Sequence, residues 1–294
     1  MAYNKSLLMK KNLKVSIIIP VYNDGESLLV CLRTIEELSV KPFEVIVVDN
    51  NSNDQTRDIA SSFSFVRLIS ESKQGVVHAR SSGFDAARGD IFARIDADTL
   101  LYDGWIDQIV SLFNNNPELA AVSGPPDYYD IKLTKTANQI DHQIRKFLAK
   151  HLSKHLFLYG SNMAIRNTAW TGVKDTLCAK NGIHEDIDLA IHLQLEGYKV
   201  AYDDQLVAGV SIRRVGGSFS DYVRYSLVSP RSYSVHGLRY LRFIYPVVIL
   251  CWVLYAPAHL FFLGYDRVTD SFSLRTFWLN SHRPARADPT TNVS

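Results

Sequence analysis

The stretch IFARIDADT at residues 91–99 ends a hydrophobic strand in two aspartates, Asp96 and Asp98. Two other stretches have the same form, VSIIIPVYND at 15–24 and EVIVVDNNSNDQT at 44–56, since each runs from an apolar strand into a polar, acidic turn. Ligands of open α/β sheets bind beyond the carboxyl ends of the strands. We therefore expect these turns to meet at one crevice, where their carboxylates suit a divalent cation and a phosphorylated ligand.

The segments between these strands have the period of amphipathic helices. From about Gly25 leucine and isoleucine recur on one helical face, and a second helix is predicted from Gln74 to Ala87, with Gly89 as a left-handed cap. Strands that alternate with helices at this spacing form parallel βαβ units. The sequence therefore predicts the α/β class, with a mostly parallel, Rossmann-like sheet flanked by helices. The predicted strands are Val15–Pro20, Val45–Val48, Val66–Ile69, Ile91–Ile95, Leu119–Val122, Val200–Tyr202 and Val207–Ile212.

The composition is that of a globular protein. Apolar residues make up 47% and charged residues 21% of the 294 residues, which suffices for one large α/β domain and an appendage. The three cysteines, Cys31, Cys178 and Cys251, are odd in number, far apart and without C-x-x-C spacing. That pattern predicts neither a disulfide framework nor a zinc site, and it fits a reducing compartment.

Charge is distributed unevenly along the chain. Residues 213–294 hold ten arginines, no lysine and four aspartates, a local net charge of +6 that leaves −4 for the rest of a chain with +2 overall. A basic, aromatic tail on an acidic body indicates an anionic membrane surface as a partner, and not nucleic acid. We expect a flexible N-terminus at 1–14, a catalytic domain at 15–215 and a basic tail at 216–294.

A membrane-associated helix is predicted within that tail. Residues 243–264 contain no Lys, Arg, Asp or Glu, and these 22 residues are long enough to cross a bilayer. Pro257 would kink a helix and His259 is costly to bury, so a hairpin bent at Pro257 is nearly as well supported as a single span. A buried core helix is the third alternative. Arg239 and Arg242, just before the apolar run, favour a membrane-associated protein with a cytoplasmic catalytic domain.

Several polar side chains are candidates for chemistry. A D-x-D pair alone is weak evidence, since about 1.6 matches are expected by chance in this composition and the chain has two. Asp96 and Asp98 are distinguished by their position at a strand end. Asp49 ends a second strand, Arg80 lies on a helix expected to face the same crevice, and Asp186 opens a helix where it can act as a general base. Helix capping or a local ion pair is the plain alternative for these three.

Together the spaced motifs resemble family 2 glycosyltransferases, which have the GT-A fold. The resemblance rests on VSIIIPVYN, VVDNNSNDQT, KQGVVHARSSGFDAARGD, IDADT, GSNMAIRN and a helix that begins at HED (residues 184–186), which occur in that order. This last helix is called the HED helix below. It covers roughly residues 15–212. It implies a nucleotide-sugar donor and a divalent cation, Mg²⁺ or Mn²⁺.

The resemblance also implies roles for individual residues. It places the metal on Asp96 and Asp98, where the cation would neutralise charge on the leaving nucleoside diphosphate. It makes Asp186 the base of an inverting displacement. The residues implied for the nucleotide pocket are Pro20, Tyr22, Asp24, Asp49, Arg80 and Asp96.

Three features depart from the family pattern. Asn50 stands where an acid usually follows Asp49. Arg213 and Arg214 stand where many members have a His that completes the metal site, so that either water fills this position or an arginine takes over part of the neutralisation of the diphosphate. No Q-x-x-R-W follows Glu185-Asp186, and the sequence has one candidate span instead of a bundle. These last features argue against processive synthesis and for transfer of a single sugar.

The sequence therefore predicts a membrane-attached, metal-dependent, inverting glycosyltransferase. We expect a UDP-sugar donor, with GDP-mannose next, and a lipid-linked saccharide, polyprenyl phosphate or glycan acceptor. A nucleotidyltransferase is the enzymatic alternative, but it would normally have a glycine-rich, basic phosphate loop, and PVYNDGES has one glycine and no Lys or Arg. A non-catalytic sugar-nucleotide-binding scaffold at the membrane is the alternative from another class. The oligomeric state is left open.

Overall fold

The computed structural model describes residues 11–130, 139, 142–143, 145–147, 157–178, 182–238, 244–266 and 271–281. Its centre is a seven-stranded sheet. The strands of this sheet are β1 (Val15–Val21), β2 (Glu44–Asp49), β3 (Val66–Ser70), β4 (Ile91–Arg94), β5 (Leu119–Ser123), β7 (Met163–Arg166) and β8 (Lys199–Tyr202). Their order across the sheet is β3-β2-β1-β4-β7-β5-β8.

The first four strands form a parallel βαβ array, as the sequence predicts. β1 pairs in parallel with both β2 and β4, and β2 pairs in parallel with β3. β7 is antiparallel to β4 and β5, whereas β8 is parallel to β5. The α/β class with a mostly parallel sheet is therefore confirmed. The predicted strand at 207–212 is shorter, as β9 (Ala208–Val210), and pairs with β6 (Pro126–Tyr128) outside the main sheet.

Helices cover both faces of the sheet because its strand side chains are apolar on both faces. Along β1, Ile17 and Ile19 belong to one buried cluster and Ile18 to the other, which is the alternation that a pleated strand imposes. The first cluster packs against α1 (Gly25–Glu37), α2 (Thr56–Ser62) and α4 (Trp105–Asn115). The second packs against α3 (Val76–Ala86), α5 (Asn167–Val173) and α6 (Glu185–Leu195).

One predicted cap is wrong. Helix α3 ends in an extended residue, Ala87, and Gly89 does not have the positive φ of a left-handed cap. Gly89 is needed for a close approach instead, since a Cβ there would lie 2.7 Å from the carbonyl oxygen of Lys14. The positive φ near this helix occurs at its other end, where Gly75, with a φ of 133°, precedes the first residue of α3.

The chain packs against this sheet domain beyond residue 215. A 3₁₀ turn (Arg213–Gly216) leads to α7 (Phe219–Ser226) and α8 (Val228–Val235), and α8 packs against α6. Tyr233 on α8 is buried with Ile187 and Ile191 of α6. The predicted domain boundaries stay predictions, but part of the 216–294 segment is an integral layer of the fold.

The apolar segment forms one continuous helix, α9 (Ile244–Gly264), with Pro257 inside it. The predicted hairpin bent at Pro257 is therefore absent. The chain reverses direction later, where β10 (Tyr265–Asp266) pairs antiparallel with β11 (Ser271–Phe272). The helix α10 (Leu274–Ser281) then packs against α9. Among the described residues α9 is the one helix that is long and apolar enough to cross a membrane. Its most apolar window has a mean hydropathy of 2.0, and 22% of that window is buried.

Candidate active site

The predicted crevice exists at the carboxyl ends of β1, β2 and β4. These three strands are neighbours and parallel, so the turns that follow them lie at the same edge of the sheet. Asp24 caps α1 after β1, Asp49 is the last residue of β2, and Asp96 and Asp98 follow β4. Because β7 is antiparallel to β4, the segment that precedes it, with Gly160, reaches the same edge.

Arg213 joins two of these strand-end carboxylates. Its Nη1 lies 2.5 Å from Asp24 Oδ2, and its Nε lies 2.8 Å from Asp98 Oδ2. Burial, opposed by Arg213 and reinforced by Asp96 and Asp24, raises the pKa of Asp98 to about 6. The carboxylates here are crowded enough to require a neighbouring positive charge, and the guanidinium of Arg213, which is 189 residues from Asp24 in sequence, supplies it.

Asp49 and Asn50 shape the side of the crevice that follows β2. Asp49 is buried, accepts a hydrogen bond from the Ser52 N–H and pairs with Arg57 at 2.9 Å. Asn50 donates from its amide to the carbonyl oxygens of Glu71 and Lys73, and its Oδ1 accepts from the Gly75 N–H. A carboxylate at position 50 has no N–H to donate to these carbonyls, which explains physically why an amide stands there.

A buried arginine, Arg94, links Asp96 to the HED helix. Arg94 lies at the end of β4 and is 3% exposed. Its Nη2 donates to Asp96 Oδ1 at 2.9 Å, and its Nη1 lies 2.8 Å from Glu185 Oε1 at the start of α6. The guanidinium therefore fixes the distance between a strand-end carboxylate and the helix that carries Asp186.

Gly160 fits against the same guanidinium. A Cβ at this position would lie 1.6 Å from Arg94 Nη1, so no other residue fits without moving the arginine. The Gly160 N–H also donates to Asp186 Oδ2 at 2.9 Å. A single glycine thus makes room for Arg94 and orients Asp186.

Asp186 lies in a buried environment beside a second carboxylate. Burial and the neighbouring Glu185 raise its pKa above the usual aspartate value, against the opposing charges of His184 and Arg94. A raised pKa brings a carboxylate closer to the neutral range in which it can take up a proton during a reaction. The start of its helix is held by α8, because the His184 N–H donates to Ser232 Oγ at 2.8 Å.

The other predicted site residues occupy different positions relative to the crevice. Pro20 is the sixth residue of β1 and half-buried, and Tyr22 is half-buried just after that strand. Arg80 is 1% exposed and donates from Nη1 to the carbonyl oxygen of Glu185 at 2.7 Å. The structure therefore places Arg80 beneath the helix α6, bonded to a backbone carbonyl and not to a strand-end carboxylate, and contact between Arg80 and a nucleotide stays a prediction.

Two important residues were missed by sequence reasoning. The sequence pattern assigns Arg94 only to an apolar strand, although a charged residue inside a buried strand is itself a signal, because such residues are rarely buried without a partner. Gly160 lies in the GSNM motif, and no local pattern gives it a role. The third residue of that motif, Asn162, is structural, since its amide is buried between the Trp105 indole and the carbonyl oxygen of Leu206.

The residues present fit a divalent cation. Asp96 is 42% exposed and Asp98 is 11% exposed, so the pair offers oxygen ligands at the mouth of the crevice. Hard carboxylate oxygens are the ligands that Mg²⁺ and Mn²⁺ prefer. Arg213 already contacts Asp98 and would share this carboxylate with the cation.

Comparison with known proteins identifies the family and the fold. The model of the family described as "Glycosyl transferase family 2" matches residues 16–171. The amylovoran biosynthesis glycosyltransferase AmsB of Erwinia amylovora is 27% identical over 237 residues, 74% of this chain and 76% of AmsB. A glucosyl-dolichyl phosphate glucuronosyltransferase of Haloferax volcanii is 26% identical over 183 residues, 58% of each chain. This chain spans less than two thirds of several of the curated relatives it matches.

Among solved structures the mannosyltransferase PcManGT from Pyrobaculum calidifontis, in complex with GDP-Man and Mn²⁺, is similar over 92% of this chain and 79% of its own. The TM-score is 0.61 and the sequence identity is 18%. This likeness establishes the GT-A fold for the chain, as the sequence predicts.

The Arg213 contacts predict opposite effects on cation binding and on turnover. In Arg213→Gln the guanidinium no longer competes for Asp98, so the apparent affinity for Mn²⁺ should rise several-fold, whereas turnover should fall because the site loses a fixed positive charge. Titration of free Mn²⁺ by electron paramagnetic resonance, together with steady-state rates, measures both. Arg33→Gln, which removes an exposed arginine from α1, is the matched control. Weaker Mn²⁺ binding in Arg213→Gln would mean that Arg213 organises the ligands instead of competing with the cation.

Proposed function

The chain belongs to glycosyl transferase family 2, and from that premise we propose that it transfers a single sugar from a nucleotide sugar to a lipid-linked acceptor, with inversion at the anomeric carbon. The observation that carries the proposal is the bridge made by Arg94 between Asp96 and Glu185. This bridge connects the carboxylates that would hold the cation of the donor diphosphate to the helix that carries Asp186.

The donor binds with its diphosphate at the mouth of the crevice. Asp96 and Asp98 hold the divalent cation, which when bound neutralises the charge that develops on the leaving diphosphate. Arg213 contributes a second, permanent positive charge beside Asp98. Asp49, at the end of β2, and Tyr22, after β1, line the part of the crevice proposed for the nucleoside.

Asp186 acts on the acceptor. The acceptor oxygen attacks the anomeric carbon from the face opposite the diphosphate, and its bond to carbon forms as the bond between that carbon and the diphosphate breaks. The nucleoside diphosphate leaves with the electron pair. The proton of an acceptor hydroxyl passes to Asp186, whose orientation depends on Gly160.

The donor and acceptor classes rest on the relatives. PcManGT binds GDP-Man, and one relative is named for transfer to a glucosyl-dolichyl phosphate, so GDP-mannose joins UDP-sugars as a candidate donor and a lipid-linked acceptor is favoured. A nucleotidyltransferase has no support from the family match. A non-catalytic scaffold would have no need of the oriented, raised-pKa carboxylate at Asp186.

A panel of nucleotide sugars tests the function. We expect the full chain with Mn²⁺ to hydrolyse or transfer from one class of UDP- or GDP-sugar, and excess EDTA to abolish this turnover. Asp98→Ala should lose it as well, while far-UV circular dichroism shows an intact fold. Activity that is undiminished by EDTA or in Asp98→Ala would contradict the metal assignment, and no turnover with any donor and lipid phosphate would contradict the function.

Asp186→Asn tests the base. The amide is nearly isosteric but cannot accept a proton, so kcat should fall by about 10²–10⁴-fold with little change in donor affinity. Steady-state kinetics and nucleotide-sugar binding by calorimetry separate the two quantities. Asp175→Asn, at an exposed aspartate near the end of α5, is the control. If donor affinity falls in step with kcat, Asp186 is a binding residue.

We further propose that α9 lies in the plane of a membrane surface. One face of the helix is bonded to the catalytic body: Trp252 Nε1 donates to Ser226 Oγ, the Tyr255 hydroxyl donates to the carbonyl oxygen of Gly217, and His259 Nδ1 lies 2.6 Å from that of Val215. Away from these contacts the helix exposes an apolar stripe. Its residues are Ile249, Leu250, Val253, Leu254 and Leu260.

These contacts argue against a perpendicular span. Trp252 to His259 covers about 10 Å near the middle of the helix, and the body lies beside all of it. If α9 crossed the bilayer, the neighbouring Asp221–Arg224 ion pair on α7, with side chains 51% and 70% exposed, would enter hydrocarbon at high cost. In the in-plane arrangement the stripe enters the acyl boundary, and the net positive charge of residues 213–294 favours an anionic, cytoplasmic leaflet.

Vesicle flotation tests this arrangement. We expect the full chain to float with phosphatidylcholine–phosphatidylglycerol vesicles, and the double variant Ile249→Glu/Val253→Glu to lose most of this binding. Val30→Glu alters an exposed valine on α1 and should have no effect. Alkaline washing should release the wild type if α9 lies on the surface. Resistance to that wash would indicate a span, and equal flotation of the double variant would contradict a role for the stripe.

A further inference from the structure

A second cluster of potential metal ligands lies behind the HED helix. Cys178, Asp188, His192 and His236 each offer one ligand atom, and these four atoms all lie within 4.8 Å of one another. They come from three segments: the chain just after α5, the helix α6, and the residue that ends α8. None of the four belongs to the active site described above.

The distances within the cluster are those of neighbouring ligands around one ion. Cys178 Sγ lies 3.7 Å from His192 Nε2, and His192 Nε2 lies 3.6 Å from Asp188 Oδ1. In a tetrahedral zinc site the edges between sulfur, nitrogen and oxygen ligands are about 3.3–3.6 Å, given bond lengths of about 2.0–2.3 Å. His236 Nε2 is closer to Asp188 Oδ1, at 2.8 Å, and a small outward rotation would bring it to the same spacing.

The cluster is sheltered and its ligands are oriented by second interactions. The side chains of Asp188, His236 and His192 are 2%, 7% and 15% exposed. The second carboxylate oxygen of Asp188, Oδ2, accepts the Cys178 N–H at 3.0 Å, which leaves Oδ1 facing the two imidazoles. Hydrogen bonds to the far side of a ligating carboxylate are typical of metal sites.

We propose that Cys178, Asp188, His192 and His236 bind a zinc ion that ties α6 to α8 and to the segment after α5. One thiolate, two imidazoles and one carboxylate form a closed set of four, which suits tetrahedral zinc and leaves no open position for substrate. The same set excludes Mg²⁺, which requires oxygen ligands, so this site and the strand-end carboxylates select different ions.

The two aspartates of the second D-x-D pair, Asp186 and Asp188, have different partners. Residues two apart on a helix point about 200° apart around its axis, so Asp186 and Asp188 face opposite sides of α6. Asp186 meets Gly160 at the crevice, and Asp188 meets the cysteine and histidines behind it. A zinc ion at Asp188 would hold the first turn of the catalytic helix from its rear.

The spacing of the cysteines predicts no zinc site, and the proposed site departs from that prediction because its ligands are distant in sequence. Cys178, Asp188 and His236 lie 10 and 48 residues apart in sequence, and no local motif connects them. The fold brings them together because α8 packs across α6.

Metal analysis of the full chain tests the site. Protein purified without chelator should contain about one zinc per chain by inductively coupled plasma mass spectrometry, and Cys178→Ser and His236→Ala should lose most of it. Cys251→Ser and His78→Ala, which remove a cysteine and a histidine outside the cluster, should retain the wild-type content. These measurements do not depend on glycosyltransferase activity, so they stand or fall separately from the proposed function.

Cobalt substitution identifies the ligands and covers the case of a misfolded variant. Wild-type protein stripped of metal should gain a thiolate-to-cobalt charge-transfer band on addition of Co²⁺, and its Tm should rise on addition of Zn²⁺. Cys251→Ser should behave like the wild type, and Cys178→Ser should show neither change. Wild-type protein without zinc, without the charge-transfer band and without a Zn²⁺-dependent Tm would overturn the proposal and leave the four side chains as a hydrogen-bonded network.

Discussion

A positive charge buried at the end of a central strand is the constraint on which the site depends. Arg94 cannot remain charged inside the protein without partners, because an unpaired buried charge costs several kcal/mol. Asp96 and Glu185 supply the negative charges, and Gly160 supplies the space. Once these three are fixed, the D-x-D turn, the segment before β7 and the start of α6 have little freedom to move relative to one another.

The sequence predicted the features that depend on local pattern. Strand–helix alternation gave the sheet, and acidic residues at strand ends gave Asp24, Asp49, Asp96 and Asp98 a common edge, because parallel neighbours must end together. Asp186 was recognised by the motif around it. The inferences about the sheet and its strand ends need only the spacing of apolar residues within a segment and the parallel direction of neighbouring strands.

Long-range partners could not be predicted in the same way. Arg213 meets Asp24 across 189 residues, and the sequence left open whether water or an arginine completes the site. Asn50 departs from the family pattern, and the physical reason is the pair of carbonyl oxygens of Glu71 and Lys73 that the fold brings beside its amide. The position of Arg80 depends on where α6 crosses α3, which no local pattern specifies. In each case the sequence does not specify which distant segment contacts the residue, because that contact is determined by tertiary packing.

The packing shows that the tail is not structurally separate from the catalytic body. Composition separates residues 213–294 by their arginines, yet Ser232 holds the HED helix by its His184 N–H and Tyr233 is buried against the same helix. The helix proposed to face a membrane is therefore continuous with the segment that contacts the strand-end carboxylates: α9 packs on the 3₁₀ turn that carries Arg213, and Arg213 in turn bonds Asp98. A displacement of α9 would reach Asp98 through one turn of chain, and this is the path by which the proposed membrane contact and the proposed donor site would influence each other.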